Sequence, residues 1–376
     1  MTLTDKFFLC YFETTRACNL ACKYCMSRPE TPPAAPELST EEAKALVLDE
    51  LAKVSSNVAV AFSGGESLLR KDIDVLLAHT ASLGMYSFIN TNGKILVETD
   101  AVRRSIAATG GRVIFVLPIN SVDAGANRSS RDDDPSTVMQ AAEVCRRDGA
   151  DYFFLLTVSK ENLETLEPTV RFLKMNRVPM LRAPFVPRGS GAQYSDLAFD
   201  ARDMERVIHP ALASNPLSYI SYTPFFADPD ALEAAWRRYG VKIEGLGCQA
   251  GRSFAAVGAE GAVAPCVQLL DSAATVGNVR DTPLSALIGR HPTFEALRRR
   301  DGNLKGRCGI CRYRESCGGC RALAYYQSGD LFAEDPTCFF QPQDRSTRCD
   351  LETLETAQLA KFIEYLKYNK PWNVLF

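Results

Sequence analysis

The chain is 376 residues long, 46% apolar and 23% charged, with 43 basic side chains against 45 acidic ones. That length allows one large domain of roughly 200–250 residues with a smaller companion, and a near-balanced charge without long like-charge runs excludes a nucleic-acid-binding arm. The opening MTLTDKFFLCYFETT lacks the basic region and cleavage site of a signal peptide, and no stretch reaches the ~18 apolar residues of a membrane helix, so a soluble cytoplasmic protein is expected.

From residue 7 to about 185, short β-rich runs alternate with amphipathic helical patterns. Strands are predicted at 7–12, 57–62, 85–90, 112–117, 151–158 and 178–185, each bounded by Gly, Pro, Asn or Asp. Helices are predicted at 40–54, 71–83, 99–108, 136–148 and 162–175. The first opens with Ser39 and Glu42 in capping-box spacing, and the last two close near Gly149 and before Pro179. Repeated β–α units imply a parallel sheet with right-handed crossovers. Six strands rather than eight suggest an α/β fold of the incomplete (β/α)6 TIM-like barrel type, with chemistry at the carboxyl ends of the strands.

A Pro/Gly-rich passage, PFVPRGSG at 184–191, leaves this region, and a mostly helical connector follows, interrupted by TPFFADPD. From about 245 to 350 the texture changes to Gly, Cys and short loops, and 351–367 reads as one amphipathic helix. The expected organisation is a partial barrel over 1–215, a connector over 216–244, a smaller loop-rich, Cys-rich domain over 245–350, and a C-terminal helix and tail over 351–376.

Thirteen cysteines stand beside only three histidines. In a cytosolic chain of this size, clustered Cys point to metal or redox chemistry rather than to disulfides, and so few His disfavour an imidazole site. Directly after the first predicted strand come Cys18, Cys22 and Cys25, spaced C-x-x-x-C-x-x-C. Three thiolates on one loop can hold three irons of a [4Fe–4S] cube and leave the fourth open, as chemistry at a metal requires. A zinc knuckle wants a fourth ligand, and no His or further Cys lies nearby. The second strand ends in Ser63-Gly64-Gly65-Glu66, where glycines let backbone approach a ligand and Glu66 offers an acceptor for an ammonium. Thr91-Asn92-Gly93 ends the third strand, and Asn120-Ser121-Val122-Asp123 follows the fourth.

With one such motif after each successive strand, the chain resembles the radical SAM superfamily. The resemblance implies that Cys18, Cys22 and Cys25 bind the SAM-cleaving cluster and that the turn of Gly64, Gly65 and Glu66 takes the methionyl amino group of S-adenosylmethionine. Tyr24 occupies the family's adenine-facing aromatic position, Asn92 lies in its TNG element, and Ser121 and Asp123 form its S-x-D element near the ribose. The family's usual proline after the glycine turn is Ser67 here. Arg128 or Arg131 is expected to reach the SAM carboxylate, and spacing does not choose between them. The implied reaction passes an electron into bound SAM, giving methionine and a 5′-deoxyadenosyl radical that removes a hydrogen atom from an unactivated carbon. The cofactors carry that chemistry while the protein orients substrate and excludes water. A flavodoxin- or ferredoxin-type reductant is the implied partner.

Seven further cysteines, Cys248, Cys266, Cys308, Cys311, Cys317, Cys320 and Cys338, resemble the SPASM extension of radical SAM enzymes. Two auxiliary [4Fe–4S] clusters follow from the resemblance, making three in all. Cys308, Cys311, Cys317 and Cys338 would close one, while Cys248, Cys266 and Cys320 would give the other three ligands. Some relatives complete the second with a Cys shortly before the first of these, but position 242 is Lys. Cys317 and Cys320 are separated by two residues where the pattern has three, which bears on the orientation of Cys320. Zinc is the alternative for the two C-x-x-C pairs.

Three cysteines remain. Cys145 and Cys10 are expected to pack in the core. Cys349 either is idle, completes the three-Cys cluster, or returns a hydrogen atom to a substrate radical, as a thiol does in radical SAM epimerases. His79, His209 and His291 share no metal spacing and are expected at the surface or as caps. Sulfatase maturases carry an Asp after the second auxiliary Cys, whereas Val267 and Gln268 stand here, which disfavours that activity. The leading expectation is modification of a peptide or protein side chain, by crosslinking, oxidation or epimerisation. The alternative is epimerisation or dehydrogenation of a small molecule such as a sugar, an aminoglycoside-like natural product or a tetrapyrrole. A non-catalytic metal-binding scaffold is the third.

Overall fold

The computed structural model describes residues 6–28, 35–175, 180–213, 223–239 and 247–368. The expected strand start at 178–179, Lys242, much of the connector and the end of the tail lie outside them. By its contacts the chain divides into two units, the first made of residues 1–155, 187–195 and 250–295, the second of 156–186, 196–249 and 296–376.

The first unit is built on parallel strands whose apolar runs are buried on both faces, as a sheet covered by helices requires. They are β1 (Phe8–Thr15), β2 (Val58–Gly64), β3 (Tyr86–Asn90), β4 (Val113–Pro118) and the first part of β5 (Asp151–Val158). Each pairs in parallel with the next in chain order. Phe12 lies opposite Phe62 in the β1–β2 register, their rings 6.4 Å apart. Glu13 lies opposite Ser63, after which an irregularity shifts the register so that Thr15 meets Gly64. The expected helices appear within two or three residues of their sequence bounds, Ile73–Ser82, Ala101–Thr109 and Pro135–Arg147 among them. The Ser39–Glu42 capping box is formed.

On the free edge of β1, β7 (Phe254–Val257) adds in parallel, with Leu9 opposite Phe254. Two short antiparallel strands continue from it, β8 (Ala262–Ala264) and β9 (Gly277–Asn278). Their four, three and two residues carry no readable periodicity, so the loop-like texture of this stretch hides strands. The pairing covers backbone groups that an open barrel edge would leave bare.

In the second unit, the end of β5 leads to the helix Leu163–Met175 and then β6 (Met180–Pro184), where Phe185 N–H donates to Val158 O at 2.8 Å. The helix Glu352–Tyr368 forms over the span expected for the C-terminal helix. His209 departs from the surface or capping role expected of it: it is 4% exposed, bonded to Glu355 and set edge-on to Phe339. Its polar edge is satisfied by the carboxylate, which is how a buried imidazole is accommodated. His291 does act as a cap, its Nδ1 accepting from Thr293 N–H, and His79 pairs with Asp49. Among the described residues, no helix is long and apolar enough to cross a membrane.

Candidate functional site

The strand order β5-β4-β3-β2-β1 places the turns after β1, β2, β3 and β4 along one carboxyl edge of the sheet. The Cys18–Cys25 loop follows β1. The glycines after β2 are required by how closely the chains approach. A Cβ on Gly64, whose φ is +112°, would lie 2.3 Å from Thr15 O, and one on Gly65 would lie 2.1 Å from Ala17 O. The β2 turn is thereby pressed against the residues that lead into Cys18, with Gly65 N–H bonded to Thr15 O and Glu66 N–H to Ala17 O.

Glu66 is fully buried, and burial pushes its carboxyl up to about 7. Its oxygens accept from Asn92 N–H at 2.8 Å and Leu68 N–H at 3.2 Å, tying the β2 turn to the β3 turn. Asn92 in turn donates from Nδ2 to Asn19 Oδ1 in the cysteine loop, and its own Oδ1 accepts from Lys94 N–H. Ser67, in place of the usual proline, donates to Asn90 O.

The loop itself is docked on the end of the helix Ala124–Arg131. Cys22 Sγ donates to Arg131 O at 3.1 Å, Lys23 N–H to Ser130 O, and Ala21 N–H to Asp132. Asp123 caps that helix by accepting from Ala126 N–H, and Ser121 Oγ accepts from Asp123 N–H. Asn127 is buried, and its side chain accepts from the N–H groups of Asn120 and Ser121. Tyr24 is buried with its hydroxyl accepting from Asn120 Nδ2 at 3.4 Å. The structure separates the two candidate arginines. Arg128 is spent on Asp134 at 2.6 Å, whereas Arg131 is close enough to Glu66 and Cys22 to favour their charged forms. Cys18, Cys22 and Cys25 lie within electrostatic reach of one another, and burial raises the first two thiols above their ordinary range.

In the second unit, Cys308, Cys311, Cys317 and Cys338 line one cavity, together with Tyr313 and Asp335. Buried guanidiniums hold its walls. Arg321, with no exposed surface, donates to the carbonyls of Gly319, Leu331 and Ala333, and Arg300 donates to those of Cys248, Glu315 and Cys317. Asp335 accepts from Cys320 N–H at 2.6 Å. The shortened spacing before Cys320 is met by two successive left-handed residues, Gly318 at φ +67° and Gly319 at +59°. They turn the chain sharply, so that Cys317 faces the four-thiol cavity while Cys320 heads the helix Arg321–Ser328. Cys248 is bonded through its N–H to Cys317 O, and Cys266 follows β8 in the first unit, where it lies within electrostatic reach of Tyr11.

Cys10 and Cys145 are buried in the core as expected. Cys349 is 7% exposed, its N–H donates to the Tyr313 hydroxyl at 3.0 Å, and it lies within electrostatic reach of Cys311. Among the described residues, no three His, Cys, Asp or Glu side chains are drawn together as a single-ion site needs. The donor sets are thiol-only, three on one loop and four around one cavity, and soft thiolates of that kind suit iron–sulfur cubes.

Comparison with known proteins gives matches over most of the chain. The model of the radical SAM superfamily matches residues 12–173, and that of the SPASM iron–sulfur cluster-binding domain matches 248–320. An AdoMet-dependent heme synthase of Nitratidesulfovibrio vulgaris is 30% identical over 354 residues, 90% of this chain and 93% of that protein. A PqqA peptide cyclase of Gluconobacter oxydans is 27% identical over 355 residues, 91% and 93% of the two. The solved structure of anSMEcpe with bound AdoMet and Kp18Cys peptide shares the fold at TM-score 0.65 and 15% identity, covering 96% of this chain and 98% of that one.

Proposed function

The chain belongs to the radical SAM superfamily and carries a SPASM iron–sulfur domain, and from that premise we propose that it removes a hydrogen atom from a carbon of a tetrapyrrole. The observation that carries the substrate class is the 30% identity with a heme synthase along nearly the whole of both chains. Peptide modification is the second reading, favoured by the 27% identity with a peptide cyclase.

Cys18, Cys22 and Cys25 would hold the SAM-binding cluster. Bound there, it would supply one-electron reduction to S-adenosylmethionine. The chain's own residues prepare that event. Glu66 fastens the β3 turn to the β2 turn, so the two sides of the SAM site are one rigid piece. Arg131 is the cation placed for the SAM carboxylate, Arg128 being committed to Asp134. Tyr24 presents an aromatic face held by Asn120, and the Asp123 cap orders the helix on which the cysteine loop rests. Cys308, Cys311, Cys317 and Cys338 would hold a fully ligated auxiliary cluster, and by the sequence resemblance alone Cys248, Cys266 and Cys320 would give three ligands of a second. A flavodoxin- or ferredoxin-type protein would supply electrons. Cys349 is read as packing beside the four-thiol cavity, not as a ligand or hydrogen donor.

The test is anaerobic turnover with SAM, a low-potential reductant and either a carboxylate-bearing iron porphyrin or candidate precursor peptides. The porphyrin should raise 5′-deoxyadenosine formation several-fold and change mass, and Cys22→Ala should abolish both. Stimulation by a peptide, with the porphyrin inert, would replace the first reading by the second.

A further inference from the structure

Arg188 lies in the PFVPRGSG passage, to which the sequence assigns no role beyond leaving the barrel. Its side chain is 2% exposed. Nη1 donates to Glu13 Oε1 at 3.2 Å and to Val267 O at 2.7 Å, and Nη2 donates to Asp271 Oδ2 at 2.8 Å. Glu13, with no exposed surface, stands near the end of β1, while Val267 is the residue after Cys266. Immediately beyond Arg188 the chain grips the first cysteine loop. Gly189 has φ +59°, and a Cβ there would lie 2.6–2.7 Å from the carbonyl oxygens of Arg28, Cys25 and Met26. Ser190 donates to Cys25 O through both its N–H and its hydroxyl, each at 3.1 Å. A second guanidinium closes the network. Arg16 bonds Glu260 at 2.8 Å, Asp271 at 3.3 Å and Ser27 O at 3.0 Å, and pairs with Glu13 at 3.0 Å.

We propose that Arg188 is a positioning residue that fixes the loop of Cys25 and the loop of Cys266 to each other, so that one side chain sets the surroundings of two clusters. This rests on the family reading of those cysteines. Arg188 and Glu13 are the buried pair at the centre of this network, with Arg16, Glu260 and the more exposed Asp271 around them, and removing either buried partner leaves the other's charge undercompensated. The planar fork is essential. It reaches Glu13, Val267 O and Asp271 simultaneously, which the point charge of a lysine does not.

The experiment compares Arg188→Gln and Arg188→Lys with wild type by EPR of the reduced, reconstituted protein. It is repeated with Cys18, Cys22 and Cys25 all replaced by Ala, so that auxiliary signals are read alone. Both variants should alter the SAM-cluster signal and an auxiliary signal, and 5′-deoxyadenosine formation should fall roughly tenfold, as for other partners of metal ligands. Restoration of both spectra by Arg188→Lys would reduce the role to charge and overturn the proposal, as would a change confined to one cluster. If both variants fail to fold, Ser190→Ala removes one bond to Cys25 and leaves the ion network intact. It should shift the SAM-cluster signal, and an unchanged signal overturns the proposed grip on that loop.

Discussion

Glu66 and Asn92 are joined by a 2.8 Å hydrogen bond from the Asn92 N–H to Glu66 Oε2, which locks the turn after the second strand to the turn after the third. Burial lifts the Glu66 carboxyl to about 7 from its ordinary 4.5. The folded protein therefore binds this proton more tightly than the unfolded chain, and stability falls as pH rises from about 4.5 to about 7. The loss across that window is roughly 3 kcal/mol from this group. Denaturant unfolding at pH 5 and pH 8 should show it in wild type, and Glu66→Gln should flatten the difference.

Gly65→Ala should cost the protein its SAM cluster. The new Cβ would lie 2.1 Å from Ala17 O, backbone that cannot yield without moving Cys18. Iron analysis should give about twelve atoms in wild type and about four fewer in the variant, since each cube carries four. Unchanged iron would mean that the cysteine loop tolerates the shift.

Arg131→Gln should weaken SAM binding by about tenfold or more, the usual scale for a lost hydrogen bond to a charged group. Arg128→Gln should leave it near wild type, because Arg128 is paired with Asp134 at an exposed position. Equilibrium binding of SAM to the reconstituted protein separates the two.

Cys349→Ala should retain full iron content, since Cys349 lies beside a cavity whose four thiols, Cys308, Cys311, Cys317 and Cys338, are the proposed complete ligand set. Cys311→Ala should lose up to about four iron atoms. Loss of iron from Cys349→Ala would make Cys349 a ligand after all. Normal turnover by it would exclude the hydrogen-donor role.

Much of the site was legible because its signals are local. Cys18, Cys22 and Cys25 share one loop, and each later motif closes one strand, so spacing and periodicity are enough to order them. Partnerships across long separations were not legible. Nothing near Arg188 in the chain marks it for Glu13, 175 residues away, or for Asp271. His209 read as a surface residue because its polarity is visible in sequence and its satisfying partner, Glu355, is not. That Arg128 is paired with Asp134 while Arg131 lies near Glu66 is likewise read from the structure alone. β7 escaped for another reason: four residues carry too few alternations to show a period, and only the vacant edge of β1 makes them a strand.

That edge strand also governs how the protein can be dissected. The sequence texture alone puts the end of the barrel near residue 215, ahead of the Cys-rich region. A fragment cut there would lack Phe254–Val257 and present the unpaired side of Leu9–Phe12 to solvent. Such an edge recruits other chains, so the fragment should self-associate instead of behaving as a minimal catalytic piece. A transplantable version of the barrel must carry its sequence on to about residue 295, where the first contact unit ends.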